Sequence, residues 1–207
     1  MICGLIFTPP SAWAATVKAQ GYWVWAGGAL NDQSPQDTLY ILQGHFRPDQ
    51  GRMAYFYEGP PPRALAGRTA AVILTYRLSQ LVPPSQIMRR YVQHKRAWAR
   101  RGVQVSGLQI DFDSPTGRLD EYAKWLAKLR HVIGADGGLS ITGLGDWLVS
   151  APRTALKRLE QNINFIAFMI YHKGKPLKPL APYIKRLQNL SLPYRLGLLD
   201  TQKYDTS

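Results

Sequence analysis

Short apolar runs of strand length, separated by longer amphipathic stretches, constrain this chain more than any other feature. Seven stand out: residues 21–25 (GYWVW), 39–46 (LYILQGHF), 70–78 (AAVILTYRL), 107–113 (GLQIDFD), 138–144 (GLSITGL), 164–171 (NFIAFMIY) and 194–199 (YRLGLL). Most are continuously apolar rather than alternating. That is the pattern of strands buried on both faces, as in a parallel sheet. Helices are predicted over 84–101, 116–132, 153–161 and 182–190. The second places Leu119, Tyr122, Ala123, Leu126, Leu129 and Val132 on one face, with Pro115 before it and Gly134 as its stop. Residues 53–57 (MAYFY) read as an extra hairpin strand near the mouth, followed by a rigid proline loop at 58–63.

Strand–helix alternation of this kind builds a right-handed parallel sheet. The glycine-rich phosphate loop of a dinucleotide fold is missing, because Ala26-Gly27-Gly28-Ala29 does not lead into a helical pattern. The expected fold is therefore α/β, a (β/α)8 TIM-barrel-like domain that is incomplete, with seven recognisable strands.

The chain has 207 residues, of which 45% are hydrophobic and 19% charged, enough for one domain with a real core. No stretch reaches the ~18 continuous apolar residues of a membrane helix. Cys3 is the single cysteine, so neither an internal disulfide nor a cysteine metal site is available. Residues 2–7 are apolar and Ala12-Trp13-Ala14 has the small-x-small form of a signal-peptidase site. Residues 1–14 are thus expected to be a signal peptide or apolar tail, and 15–207 a single barrel-like domain in an exported, periplasmic or extracellular, protein.

The net charge of +13 favours an anionic polymer as a partner. Its simpler source is solvation of outer helices, since Arg89, Arg90, Arg96, Arg100, Arg101, Lys124, Lys128 and Arg130 fall on helical faces. There is no RNA-binding aromatic motif, helix-turn-helix signature or zinc spacing, so no specific nucleic-acid partner is expected.

The chemistry concentrates in residues 107–113. Alternation turns Leu108, Ile110 and Phe112 outward, and Gln109, Asp111 and Asp113 into the barrel. Alternate residues stand ~6.5–7 Å apart along a strand, so the two carboxyls can interact, and the upper one can be held protonated by the lower. Such a pair can protonate a leaving-group oxygen, and barrels place chemistry at this strand end. Two other readings stay open. The acids can form a polar layer that caps the barrel, with Asp113 alternatively a helix N-cap before Ser114-Pro115, or the Asp-x-Asp pair can hold a divalent ion. The metal reading has no supporting His-Asp cluster nearby, and no cofactor is expected.

The segment Ser106-Gly-Leu-Gln-Ile-Asp-Phe-Asp113 resembles the strand-four signature of glycoside hydrolase family 18, Asp-Gly-x-Asp-x-Asp-x-Glu. In that register the resemblance implies Asp113 as the acid and Asp111 as the residue orienting an acetamido group. Asp113 replaces Glu, and Gln109 and Ser106 replace the two earlier acids. Phe168-Met-Ile-Tyr171 is similar to that family's strand six. This implies that Tyr171 helps hold the acetamido group, with His172 where the family has an acidic residue. LQIDFDSPTGRLDEYAKWLAKLR, LSITGLGDWL and PYRLGLL, in that order, resemble a bacterial family called domain of unknown function 3142. That likeness implies a barrel and conveys no activity.

The remaining candidates lie at strand ends. Arg77 could pair with Asp111 or bind an anionic substrate. Asp146 and Trp147 follow the fifth strand, Trp147 as a sugar-stacking platform or a core cap. Trp25 shares a face with Trp23 and is a candidate sugar contact. His172 is a second acid–base candidate or a solvated rim residue. Asp200 and Glu58 are weaker candidates. With no Ser-x-Gly nucleophile elbow and no Cys-His pair, motifs lend no support to serine or cysteine hydrolysis. The expected function is a glycoside hydrolase-like enzyme acting on an envelope or exported polysaccharide, with Asp113 as acid and Asp111 and Tyr171 assisting. The alternative is a non-catalytic barrel that binds a glycan or a polyanion.

Overall fold

Each of the seven apolar runs becomes a strand, and all seven lie parallel in one curled sheet. The computed structural model describes residues 2–6, 19–25, 37–61, 65, 71–172, 175–177, 179, 181–187, 190 and 193–199. In chain order the first elements are β1 (Ile2–Ile6), β2 (Ala19–Val24), β3 (Thr38–Asp49), β4 (Arg52–Tyr57), β5 (Val72–Leu78) and α1 (Pro84–Ala99). Next come β6 (Val105–Asp111), a single 3-10 turn at Thr116–Arg118, α2 (Leu119–Ile133), β7 (Leu139–Leu144), α3 (Gly145–Ser150) and α4 (Arg153–Glu160). The chain continues through β8 (Phe165–Met169), β9 (Tyr171–His172), β10 (Lys175–Pro176), α5 (Ala181–Leu187) and β11 (Tyr194–Leu199).

The parallel pairings run β2–β3–β5–β6–β7–β8–β11. The fold is thus α/β and TIM-barrel-like but incomplete. Where an eighth parallel strand would stand, between β11 and β2, the short β1 pairs antiparallel to both. Residues 2–6 of the expected leader are therefore described as sheet. Residues 7–18, including Ala12-Trp13-Ala14, lie outside the described residues, as does Asp200. The hairpin expected at 53–57 is present: β4 pairs antiparallel with the second half of β3. Among the described residues no helix is long and apolar enough to cross a membrane.

Side-chain parity divides the sheet. Outward residues such as Ile41, Leu74, Leu108, Ile110, Ile141 and Phe168 form the main core with Trp98 of α1 and Tyr122, Leu126 and Leu129 of α2. Inward residues form a smaller cluster of Trp23, Tyr40, Ile73 and Ala167. The ring of Trp23 can fill the interior because residue 197 is glycine, where a Cβ would come within 2.4 Å of that ring. Basic side chains of the outer helices, among them Arg89, Arg96, Lys124 and Lys128, are exposed.

Three expectations need correction. β6 ends at Asp111, so Asp113 lies in the following loop rather than on the strand. Val132 is 49% exposed and does not belong to the buried face of α2, which uses Trp125 instead. The six-residue α3 was not anticipated, because it is too short to display a 3.6-residue period.

Candidate functional site

The barrel interior is polar just above its aromatic cluster. Thr75, Gln109, Ser140 and Thr142, on β5, β6 and β7, are all buried and face inward. Gln109 is fully enclosed. Its Oε1 accepts from Trp23 Nε1 at 2.7 Å and from Thr75 Oγ1 at 3.2 Å, and its Nε2 donates to Ser140 Oγ at 3.4 Å. Gln109 is therefore a floor residue whose polar atoms are satisfied, and not the substrate contact expected from its strand.

Asp111 stands directly above this floor. It is 5% exposed, and its Oδ1 accepts a hydrogen bond from Thr142 Oγ1 at 2.8 Å. Its Oδ2 is 3.7 Å from Arg77 Nε. Burial pushes the Asp111 carboxyl up from 3.8 to about 6, against the opposing effects of the Thr142 hydrogen bond and Arg77. The nearby Asp113 charge adds to the rise. The proton-retaining carboxyl is thus the lower one of the pair, where the sequence suggested the upper.

Asp113 projects from the loop with 56% of its side chain exposed, and Arg77 Nη2 lies 4.0 Å from its Oδ2. Arg77 therefore bridges the two acids from the neighbouring β5. The loop that carries Asp113 is pinned from α3. Trp147 is fully buried against Tyr122, and its Nε1 donates to the Ser114 carbonyl at 3.0 Å. The Thr116 hydroxyl donates to Asp146 Oδ2 at 2.6 Å. Trp147 is consequently no stacking platform; it and Asp146 shape the loop.

Trp25 and Tyr171 are half-buried and pack against the interior cluster, Trp25 with its ring 6.0 Å from that of Trp23. His172 lies in β9, paired with Lys175 of β10. The structure thus gathers Asp111, Asp113 and Arg77 at one strand end, with Trp25 and Tyr171 elsewhere around the interior. Thr142 was missed, although alternation along 138–144 turns Ser140 and Thr142 to the same side. Among the described residues no three His, Cys, Asp or Glu side chains cluster as a metal site would.

A curled sheet of parallel strands with helices outside and acids at the end of the fourth parallel strand defines an incomplete TIM-barrel-like protein. The chitinase domain of the spore coat protein CotE from Clostridium difficile shares this fold, with a TM-score of 0.56 and 18% sequence identity. The match covers 83% of this chain and 62% of that one, so the chain spans less than two thirds of the chitinase domain. Residues 67–172 match the family described as Domain of unknown function (DUF3142), and the chain belongs to that family. No protein of curated function matches the sequence.

Proposed function

We propose that the protein is a glycoside hydrolase-like enzyme acting on an exported or envelope polysaccharide, with Asp113 as general acid and Asp111 as its buried partner. One observation carries the reading. A buried carboxyl with raised proton affinity lies two residues before an exposed carboxyl group, at the C-terminal end of a barrel strand. Pairs of carboxyls in unlike environments are the equipment of acid–base glycoside cleavage. Asp111, the proton-retaining member of the pair, supplies the proton that Asp113, on the exposed loop, delivers to the glycosidic oxygen. Tyr171, packed against the interior cluster, donates its phenol to the developing charge. The likeness to a chitinase domain supports a carbohydrate, one with N-acetylamino sugars, as the ligand class.

Release of reducing ends from amino-sugar oligomers tests this. Asp113→Asn is expected to lower turnover by at least about 100-fold, the scale of a lost general acid. Equal turnover by variant and wild type, or none by either across a broad glycan panel, would sink the reading.

One observation favours the alternative, a non-catalytic barrel that binds a glycan or polyanion. The Arg77 guanidinium stands within 4.0 Å of both acids, where it can bind an anionic group of the ligand. Binding that survives Asp111→Asn and Asp113→Asn but collapses with added salt would favour that second reading.

A further inference from the structure

His45, Ser79 and Glu58 come from three separate segments and meet at the same mouth. In the parallel register of β3 and β5, His45 lies opposite Arg77. Ser79 follows two residues after Arg77, held by its N–H to the Phe46 carbonyl at 2.9 Å. The Ser79 hydroxyl is 2.9 Å from His45 Nε2. The other ring nitrogen, Nδ1, is 3.8 Å from Glu58 Oε1.

This meeting depends on an irregularity in β3. The register shifts between Leu42 and Gly44, which leaves Gln43 as an extra residue. Strict alternation from the inward Tyr40 would turn His45 outward; the bulge reverses that parity and aims it inward. The bulge is firmly built. Trp98 Nε1 donates to Gln43 Oε1 at 2.8 Å, and the Tyr55 hydroxyl donates to the Gln43 carbonyl at 2.9 Å. The same carbonyl accepts the Glu58 N–H at 3.2 Å, so the bulge also sets the position of Glu58. Glycine at 59 permits this approach, since a Cβ there would meet Gln43 Nε2 at 2.3 Å and the Leu42 carbonyl at 2.4 Å.

We propose that Ser79, His45 and Glu58 form a nucleophilic acyl-transfer site that hydrolyses a carboxylic ester carried by a sugar. The sugar portion rests on the carbohydrate reading above; the ester cleavage does not. Nucleophile, base and orienting acid stand in the order that activates a serine, assembled without any contiguous motif. Burial, the largest influence, holds His45 below the ordinary imidazole range. Glu58 pulls the other way, and Arg77 and Arg47 add to the depression. The ring is therefore neutral at physiological pH and free to accept the Ser79 proton. Glu58, within ion-pair reach, stabilises the imidazolium that follows. Ser79 also lines a cavity of about 350 Å³ whose walls include Leu81, Phe112, Pro115 and Arg118. That is the lower end of the range for small-molecule sites, room for an acyl group and its attachment.

The steps balance with water alone. Ser79 Oγ bonds to the ester carbonyl carbon while its proton passes to His45 Nε2. The carbon–oxygen bond to the sugar breaks, and the sugar oxygen takes the proton from His45. Water then attacks the acyl-serine, giving a proton to His45, and Ser79 Oγ leaves and recovers it. The products are a carboxylic acid and a free hydroxyl.

The test uses the full chain with a fluorophosphonate probe and, separately, p-nitrophenyl acetate. The expected result is a phosphonyl adduct mapped to Ser79 by mass spectrometry, absent in Ser79→Ala. Labelling and ester hydrolysis should fall at least about 100-fold in His45→Asn, as loss of a general base predicts, and less in Glu58→Gln. The probe and p-nitrophenyl acetate are read with no glycan present, so Ser79 labelling without reducing-end release would sink glycoside cleavage and leave this site standing. Faster iodoacetamide alkylation of Ser79→Cys than of Ser79→Cys/His45→Asn would support the pairing independently. An unlabelled wild type, labelling retained in Ser79→Ala, or equal rates in His45→Asn would overturn it. Hydrolysis of p-nitrophenyl acetate without acetate release from O-acetylated amino-sugar oligomers would overturn the sugar assignment alone.

Discussion

Replacing Asp111 by Asn should make the protein more stable, and increasingly so as pH rises. Burial raises the folded-state carboxyl from 3.8 to about 6. An acid with a raised folded-state affinity binds its proton more tightly folded than unfolded. Its contribution is therefore whole below the ordinary carboxylate range and is lost as pH climbs through about 6. The rise from 3.8 to about 6 corresponds to about 3 kcal/mol once both states are ionised. Between about pH 4 and about pH 8 the part that develops is about 2 kcal/mol. Asn keeps a carbonyl oxygen for the Thr142 hydroxyl and carries no charge to bury. Urea unfolding of wild type and Asp111→Asn at both pH values isolates the effect, because titrating groups that do not interact with Asp111 cancel in the difference. The variant's advantage should grow by about 2 kcal/mol from the acidic to the basic condition. A difference that is flat with pH, or shrinks as pH rises, would refute the claim that Asp111 carries its charge at a cost.

Other substitutions separate structural from functional roles. Thr142→Val deletes a hydrogen bond that favours ionised Asp111, so the Asp111 titration followed by carboxyl NMR should move to higher pH than wild type. Trp147→Phe removes the bond to the Ser114 carbonyl and should cost about 1 kcal/mol in urea melts while glycan affinity changes little. Trp25→Ala, at a half-buried ring, should instead weaken glycan binding more than it lowers the melting temperature. Gly59→Ala forces a methyl against Gln43 and Leu42 and should destabilise by about 1–3 kcal/mol, with the Ser79 labelling rate falling as Glu58 shifts.

The parallel strands were legible because each is buried on both faces, and an apolar run of that length bounded by turn residues has few other uses. The inward placement of Asp111 followed from the same alternation. Asp113 did not, because the ladder ends at Asp111 and the loop through Ser114 and Pro115 frees its side chain to solvent. Nothing local marks where strand pairing stops. Trp147 misled for a different reason. A platform and a core plug have the same side chain, and only α3, too short to show periodicity, turns it under Tyr122. His45 was invisible as a site residue because its direction depends on one inserted residue, Gln43, whose partners Trp98 and Tyr55 are distant in sequence.

Glutamine at position 109, where the hydrolase signature that this segment resembles has an acid, has a structural consequence. Gln109 occupies a position with no exposed surface, where a carboxylate would be a second buried charge beneath Asp111. As an amide it accepts from Trp23 and Thr75 and donates to Ser140, ties that bind β2, β5, β6 and β7 through neutral hydrogen bonds. Charge is thereby confined to the layer above, where Asp111, Asp113, Arg77, His45 and Glu58 lie on neighbouring strands and their loops. In that layer Arg77 touches both problems at once. It pairs with Asp111 at the end of β6 and Asp113 in the loop beyond, and it helps to keep His45 neutral on β3. Removing Arg77 should therefore act on the two chemistries through different groups, on the ionisation of Asp111 in one and the basicity of His45 in the other. A single cation placed between a carboxylate pair and an imidazole couples two sites that share no residue otherwise.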